Sequence, residues 1–173
     1  MPERTPLPEP DRAAAEELWA AYRAQAPGVP AELPLVESFG DSVEQADELL
    51  ALVRRGVKTA TASLIGDEPV PEVGDHWIAC DGAGVARVVL RTLEIRLGAL
   101  DSVDDAFAWD EGEKDRSRAS WLAGHRRYFE RVSPGGVGTV VFERFRLVWP
   151  EEDAAVAAGF SRRIASERPG GTP

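Results

Sequence analysis

Two short segments of the sequence bring together an amine, hydroxyls and carboxylates. Residues 56–61 contain Lys58 and Thr61, and residues 111–116 alternate acidic and basic side chains around Lys114. Lysine is rare in this chain, because only two of its 20 lysine and arginine residues are lysines, and each lies in one of these segments. We therefore take both segments as candidate functional sites.

The first segment offers a base and a hydroxyl. A partly buried lysine near arginines can have its pKa lowered by desolvation and like charge, which would make it a base near neutral pH. If residues 59–64 form a strand, Thr59 and Thr61 face one side and Lys58 faces the other. Lys58 and Thr61 then share a site only where the chain bends; the alternative is an exposed lysine in an ion pair.

The second segment is a cluster of carboxylates formed by Glu111, Glu113 and Asp115. Neighbouring carboxylates resist joint ionisation, so one member could hold a proton. The same oxygens could bind a hard divalent cation. The third interpretation is a solvated acidic turn that caps the following helix, where negative charge is favourable.

Few other side chains suit catalysis. His125 shares a predicted helical face with Trp121 and Phe129, so it is either a core histidine or a catalytic base, and Trp121 either stacks on a nucleobase or belongs to the core. Cys80 follows an apolar run, which indicates a core residue. With His76, His125 and Cys80 alone, a tetrahedral zinc site lacks ligands.

Composition limits the classes of protein. A chain of 173 residues that is 43% hydrophobic predicts one domain. The net charge of -10 disfavours binding to long duplex nucleic acid, so nucleic-acid chemistry would need a local cationic cleft. Two arginine-rich patches could supply it: Arg54, Arg55 and Lys58, or Arg116, Arg118, Arg126, Arg127 and Arg131. We find no signal peptide or membrane-length apolar run and expect a cytoplasmic protein.

The hydrophobic patterns predict helices and strands around the two segments. Ser42 and Gln45 have the form of a capping box for a helix that ends at Gly56. A mobile proline-rich arm is expected over the first ten residues, and Ser117 is expected to cap a helix. The predicted helices are 11–25, 43–55, 102–108, 117–132 and 151–165, and the predicted strands are 59–64, 77–80, 85–95 and 139–149.

Six short motifs give the chain a family resemblance. They are FGDS at 39–42, ADELL at 46–50, GVKTATAS at 56–63, VGDHW at 73–77, EGEKDRS at 111–117 and WxxxHxxYF at 121–129. In this order and spacing the chain resembles the ASCH-domain family, closest to its longer bacterial members of uncharacterised function. The resemblance implies an α+β, PUA-like fold, a small curled β-barrel flanked by helices. It places the ASCH domain at residues 35–149, after an N-terminal arm and helix (1–34) and before a C-terminal helix and tail (150–173).

The resemblance also implies a chemistry. Compact ASCH relatives are amidohydrolases that deacetylate N4-acetylcytidine with a lysine, a threonine and a glutamate, which correspond here to Lys58, Thr61 and Glu111. Thr61 would attack the amide carbonyl, neutral Lys58 would accept its proton, and Glu111 would relay a proton to the departing amine. No cofactor is needed. Side chains expected to shape the pocket or hold substrate are Thr59, Glu113, Asp115, Arg116 and Trp121.

Two other functions fit the same resemblance. Larger ASCH relatives have been linked to metal-assisted cleavage of single-stranded RNA, in which a charged Lys58 would stabilise the phosphorane and the carboxylates would hold a divalent metal. PUA-like domains also serve as non-catalytic modules that bind RNA or a modified base. In each case the expected partner is a modified nucleoside or a short single-stranded RNA, with no membrane partner.

Overall fold

The fold is seen in a computed structural model that describes residues 4–66 and 69–170. The outer residues of the predicted arm and tail, 1–3 and 171–173, and residues 67 and 68 lie outside this description. The helices are α1 (Arg12–Gln25), α2 (Val43–Arg54), α3 (Asp105–Glu111), α4 (Arg118–Val132) and α5 (Glu151–Ile164). The strands are β1 (Leu35–Ser38), β2 (Ala60–Leu64), β3 (His76–Cys80), β4 (Ala86–Gly98) and β5 (Val140–Trp149).

The described strands form one mixed sheet in the order β1-β3-β4-β5-β2. β1 runs parallel to β3, and the other neighbouring pairs are antiparallel. The sheet curls into a half-barrel with the five α-helices around it, which confirms the predicted α+β, PUA-like architecture. Strand β2, with Thr61, lies at one edge and pairs with β5.

Both faces of the sheet are covered. Trp77, Phe145 and Phe39 pack with Leu50 and Val53 of α2 on one face. The opposite face packs against α1 at one end of the sheet and against α3 and α4 at the other. Because the end of α3 packs against β2, the two motif segments meet at that edge of the sheet.

The cap of α2 forms largely as the sequence predicts. Ser42 Oγ accepts a hydrogen bond from the Gln45 backbone N–H at 3.3 Å. The Gln45 side chain, however, accepts from the Asp41 backbone N–H at 3.2 Å, so the reciprocal bond of a capping box goes one residue earlier. The helix ends at Arg54, and Gly56 follows with a φ of 78°.

Two local predictions differ from the structure. The helix expected at 102–108 begins only at Asp105, because residues 100–102 form a 3-10 turn and Asp104 caps α3 by accepting from Phe107 N–H at 2.7 Å. Strand β1 was not predicted, since its four residues follow a proline-rich loop and it is held by parallel pairing with the distant β3.

The N-terminal segment packs along the body of the protein, and the expectation of a mobile arm is wrong for its described part. Thr5 O accepts from Val43 N–H at 3.0 Å, and Asp11 N–H donates to Gly84 O at 2.8 Å. Arg4 reaches Asp41 with an N–O distance of 2.8 Å. These contacts bring the segment to the side of the fold where α2 begins.

A glycine lies where the two motif segments come into close contact. Gly112 ends α3 with a φ of 73°, and a Cβ atom added there would overlap the carbonyl of Val57. Thr59 N–H donates to Asp110 O at 2.7 Å, while Thr59 O accepts from Phe145 N–H at 3.0 Å. The end of α3 is therefore pressed against the strand that follows Lys58.

Replacing Gly112 should destabilise the contact between the end of α3 and the segment that contains Lys58. Gly112→Ala combines a left-handed backbone with overlap against the Val57 carbonyl, so we expect a loss of at least about 2 kcal/mol in the free energy of unfolding. Gly159→Ala is the control, because Gly159 lies inside α5 and a Cβ atom added there would have no neighbour within 4 Å. It should stabilise by about 0.5–1 kcal/mol. Equal effects of both variants in chemical denaturation would contradict this account.

Candidate active site

The centre of the site is a buried ion pair between the two motif segments. Lys58 and Glu111 are each only 1% exposed, and Lys58 Nζ donates to Glu111 Oε2 at 2.5 Å. A second hydrogen bond runs from Lys58 Nζ to Glu113 Oε1 at 3.1 Å. A buried ammonium is costly unless it is paired, so the three side chains depend on one another.

The turn after α2 aims Lys58 inward. The backbone N–H groups of Val57 and Lys58 both donate to Leu52 O, at 2.9 and 3.2 Å, which wraps the chain back over the helix end. Gly56 lies against Ala157 of α5 so closely that a side chain at this position would overlap it. The chain bends before β2 begins, and Lys58 and Thr61 come to line the same cavity.

The ionisation of the pair differs from the mechanism implied by the resemblance. Burial alone would lower the pKa of Lys58, but the charges of Glu111 and Glu113 outweigh it and raise this pKa above its ordinary value. Burial likewise opposes ionisation of Glu111, but Lys58 and then His125 lower its pKa well below the usual range. The raised pKa favours the charged ammonium form of Lys58 over the neutral amine that the resemblance implied.

Glu113 has the opposite tendency. Burial, assisted by the negative charge of Glu111, raises its pKa despite the nearby ammonium of Lys58. Its side chain is 24% exposed, so it meets the cavity directly. The site therefore combines a carboxylate that resists protonation with a second carboxyl that holds its proton more readily.

His125 completes the group from helix α4. Its Nδ1 lies 3.1 Å from Trp121 O, and since a carbonyl only accepts, Nδ1 carries the hydrogen of that bond. The other ring nitrogen, Nε2, lies 3.4 Å from Glu111 Oε1. The ring stacks on Trp121 with centroids 3.8 Å apart. The helical pattern predicted that His125 lies on the same face of α4 as Trp121 and Phe129. Its contact with Glu111 depends on the tertiary fold and could not be predicted from that pattern.

A cavity of about 260 Å³ opens above these groups. Five of the residues predicted from the sequence line it: Lys58, Thr61, Glu111, Glu113 and Trp121. Its lining also includes four cationic side chains, namely Arg4, Lys114, Arg127 and Arg131. An acidic protein thus has a local excess of cationic side chains here, two of which, Arg4 and Arg131, are paired with Asp41. The packed N-terminal segment contributes Arg4 to it, a residue that no motif or spacing in the chain singles out.

Three predicted site residues have other contacts and do not line this cavity. Thr59 donates its hydroxyl to Asp110 O at 3.3 Å. Asp115 accepts from the backbone N–H and hydroxyl of Ser117, the cap of α4, at 3.0 and 2.8 Å. Arg116 lies 4.0 Å over the Trp109 ring. Their contacts in the structure are those of residues that shape and hold the turn.

The acidic cluster is composed differently from the one read in the sequence. Glu111, Glu113 and His125 each offer one donor atom, and these atoms lie within 4.8 Å of one another. Asp115, the third carboxylate expected in that cluster, is instead used at the cap of α4. Two carboxylates and an imidazole suit Mn²⁺ or Zn²⁺, although the Lys58 ammonium already contacts both carboxylates.

A larger cavity of about 1110 Å³ follows the face of the sheet beside the first one. Phe39, Gly40, Thr61, Ala62 and Tyr128 line both cavities. The two spaces are therefore neighbours, and Thr61 lies at their junction. A molecule longer than the small cavity could extend past Thr61 into the larger one.

The comparisons with known proteins agree with this fold. A family model described as the ASCH domain matches residues 36–149, and the chain belongs to this family. It is similar to the crystal structure of protein EF3133 from Enterococcus faecalis V583, with 27% identity, a TM-score of 0.70, and coverage of 79% of this chain and 88% of that one. An ASCH domain from Lactobacillus crispatus JV V101 has 22% identity, a TM-score of 0.70, and coverage of 79% and 94%.

No curated protein matches the chain. In the part of the chain that the structure describes, no helix combines the length and the apolar character that crossing a bilayer requires.

Removal of the central ammonium should destabilise the protein. Lys58→Met leaves the Glu111 carboxylate buried without its cation, which we expect to cost about 3–5 kcal/mol in the free energy of unfolding. Adding Glu111→Gln should recover part of that loss, because the remaining side chain is neutral. Lys114→Met is the matched control: Lys114 is exposed, and its effect should stay within about 0.5 kcal/mol. Denaturant titration of the wild type and the three variants measures this, and a small effect of Lys58→Met would refute the coupling.

Proposed function

We propose that this protein is an amidohydrolase that removes the acyl group from an N-acylated nucleoside such as N4-acetylcytidine. The observation that carries the proposal is the meeting of Lys58, Glu111, Glu113 and Thr61 in one cavity. These residues supply a hydroxyl nucleophile, a cation, a carboxylate and a carboxyl with a raised pKa. Acyl transfer needs a nucleophile, a stabilising cation and a proton donor.

We assign the roles from the ionisation states and the hydrogen bonds. Thr61 attacks the amide carbonyl, and Nε2 of His125, whose Nδ1 carries the hydrogen bonded to Trp121 O, takes the hydroxyl proton. The Lys58 ammonium stabilises the negative charge that develops on the carbonyl oxygen. Glu113, in its protonated form, gives a proton to the departing amine as the C–N bond breaks. This scheme replaces the neutral lysine that the resemblance implied.

The second half of the reaction restores every group. Water attacks the acyl ester on Thr61 and loses its proton to the Glu113 carboxylate. His125 then returns its proton to the Thr61 oxygen as the ester breaks. The net change is one water and one amide converted to a carboxylic acid and an amine, so no external acid, base or metal is consumed.

The size of the small cavity supports a short acyl group. Pockets that enclose whole drug-sized ligands have volumes of about 300–1,000 Å³. The small cavity, at about 260 Å³, suits the acyl end of a substrate, and the adjoining cavity of about 1110 Å³ leaves space for the remainder. Thr61 at the junction is then beside the bond to be cleaved.

Buried polar atoms in the site also support a ligand. The Trp121 indole N–H is buried without a hydrogen-bond partner among the described residues, and the contact of buried Glu111 Oε1 with His125 Nε2 is long, at 3.4 Å. Such groups are costly in a folded protein, and binding sites are common places for them. ASCH domains are associated with RNA binding in general, and the cationic lining from Arg4, Lys114 and Arg127 would suit the phosphate of a nucleotide or a short oligonucleotide.

One observation favours a second candidate, a metal-assisted ribonuclease. The donor atoms of Glu111, Glu113 and His125 lie close enough to share a divalent cation. Such a cation would have to displace the Lys58 ammonium, which already contacts both carboxylates. The two candidates differ in their need for metal and in the bond that is cleaved.

The direct test is chromatography of N4-acetylcytidine and of a short single-stranded RNA after incubation with the protein, with and without chelator. We expect cytidine and acetate to form whether or not chelator is present. Thr61→Val should slow this reaction at least about 100-fold, because it removes the nucleophile while keeping the side-chain shape. Thr139→Val, the same change at an exposed position before β5, should leave the rate unchanged.

Other outcomes of this test select other functions. RNA fragments that disappear with chelator would support the ribonuclease. Binding of either substrate without any product would support a non-catalytic module. Deacetylation that survives Thr61→Val would contradict the assigned nucleophile.

The pH dependence tests the role of Glu113. Because its pKa is raised above the ordinary 4.5, the protonated acid persists to higher pH, and the rate should fall as pH rises through this pKa. Glu111 stays ionised there, because its pKa is lowered. Glu113→Gln cannot donate a proton, so the rate should drop about 100-fold or more and the descending limb should vanish. The measurement is kcat against pH for both proteins, and an unchanged limb in the variant would assign it to another group.

A further inference from the structure

Building on the proposed function, we propose that Glu143 is a substrate-binding residue in the larger cavity. It would donate a hydrogen bond to a ring nitrogen that lies beside an exocyclic amine, the pattern found in cytosine. Glu143 lies in the middle of β5, and the alternating pattern of that strand offers no reason to select it. Three features of its surroundings support this role.

The first feature is its position opposite Thr61. Thr61 and Glu143 are directly paired in the antiparallel register of β2 and β5. Side chains of directly opposed residues lie on the same face of a sheet, with Cβ atoms about 4.5–5.5 Å apart. Both residues line the larger cavity, and Thr61 also lines the small one. A base held by Glu143 would thus place its exocyclic nitrogen near the proposed nucleophile.

The second feature is the way the carboxyl is held. Glu143 is 7% exposed, and its Oε1 accepts from Trp77 Nε1 at 3.1 Å and from Thr92 Oγ1 at 2.6 Å. Both donors go to the same oxygen. When the carboxyl is protonated, its hydrogen is therefore on Oε2, which is the oxygen left for a ligand.

The third feature is the absence of a cation paired with Glu143 in residues 4–66 and 69–170, in contrast to Glu111. Burial raises the pKa of Glu143, and the negative charge of Asp75 adds to this rise, while the bonds from Thr92 and Trp77 oppose it. The other ionisable side chains that line this cavity are Tyr22, Glu32, Glu37, His76, Arg91 and Tyr128. The protonated acid, a hydrogen-bond donor, is thus more accessible than it is for an ordinary glutamate.

A neutral glutamic acid distinguishes two pyrimidines. Ring nitrogen N3 of cytosine is an acceptor and can receive the Oε2 hydrogen, whereas N3 of uracil carries its own hydrogen. In an N4-acylated cytosine the acyl amide is attached beside N3, so a contact from Glu143 to N3 would direct the amide towards Thr61. Selection for cytosine and placement of the scissile bond then come from one interaction.

The test is an NMR titration of the full chain with cytidine and with uridine. These probes need no turnover. We expect the wild type to bind cytidine more tightly than uridine. Glu143→Gln should keep cytidine affinity within about 3-fold, because the amide oxygen can still accept from Trp77 and Thr92 while its NH₂ donates as the acid does. Glu143→Leu should bind cytidine at least about 10-fold more weakly, the factor that corresponds to 1.4 kcal/mol.

The control and the contrary outcomes separate binding from support of the fold. Glu94→Gln makes the same change on the neighbouring strand, where the side chain is 53% exposed, and should alter neither affinity. Thermal unfolding identifies a variant that fails to fold. Equal affinity of the wild type for the two nucleosides, no binding of either, or unchanged cytidine affinity in folded Glu143→Leu would overturn the inference. Selective binding without deacetylation would overturn the proposed function alone.

Discussion

The site depends on one interaction, the contact of a buried ammonium with two carboxyl groups. Lys58 arrives on the turn after α2, and Glu111 and Glu113 arrive at the end of α3, so this contact fixes two distant parts of the chain against each other. It also sets the ionisation of its members in opposite directions. The raised pKa of Lys58, the lowered pKa of Glu111 and the raised pKa of Glu113 all follow from burial of these charges close together.

Under the proposed function, catalysis and recognition would use different surfaces. Lys58 comes from a turn and Glu111 and Glu113 from the end of α3, all beside the small cavity, whereas the larger cavity follows the face of the sheet itself. Thr61 belongs to both, since it is carried by a strand but opens towards the charged groups. In that proposal a rigid strand pair would position the ligand while the turns supply the charged groups.

Local patterns allowed most of the elements to be predicted, but not the state of the site. The cap at Ser42, the stop at Gly56 and the helix after Ser117 depend on neighbouring residues, and each was found where expected. Strand β1 was missed because its pairing is long-range. The charge of Lys58 depends on how deeply Glu111 and Glu113 are buried with it, and the burial of Glu143 depends on Trp77 and Thr92 from other strands. No spacing along the chain contains that information.

The order of the strands has a consequence for synthesis on the ribosome. Among the described strands, β2 has a single neighbour, β5, which follows it in the sequence by more than 70 residues. The segment with Thr61 therefore cannot join the sheet until residues up to Arg144 have left the exit tunnel. In the first part of that interval, the Lys58 turn is present before Glu111 and Glu113 have been synthesised. The nascent chain thus passes through a long stage with an unpaired strand and a lone lysine, and such non-local closure is slow.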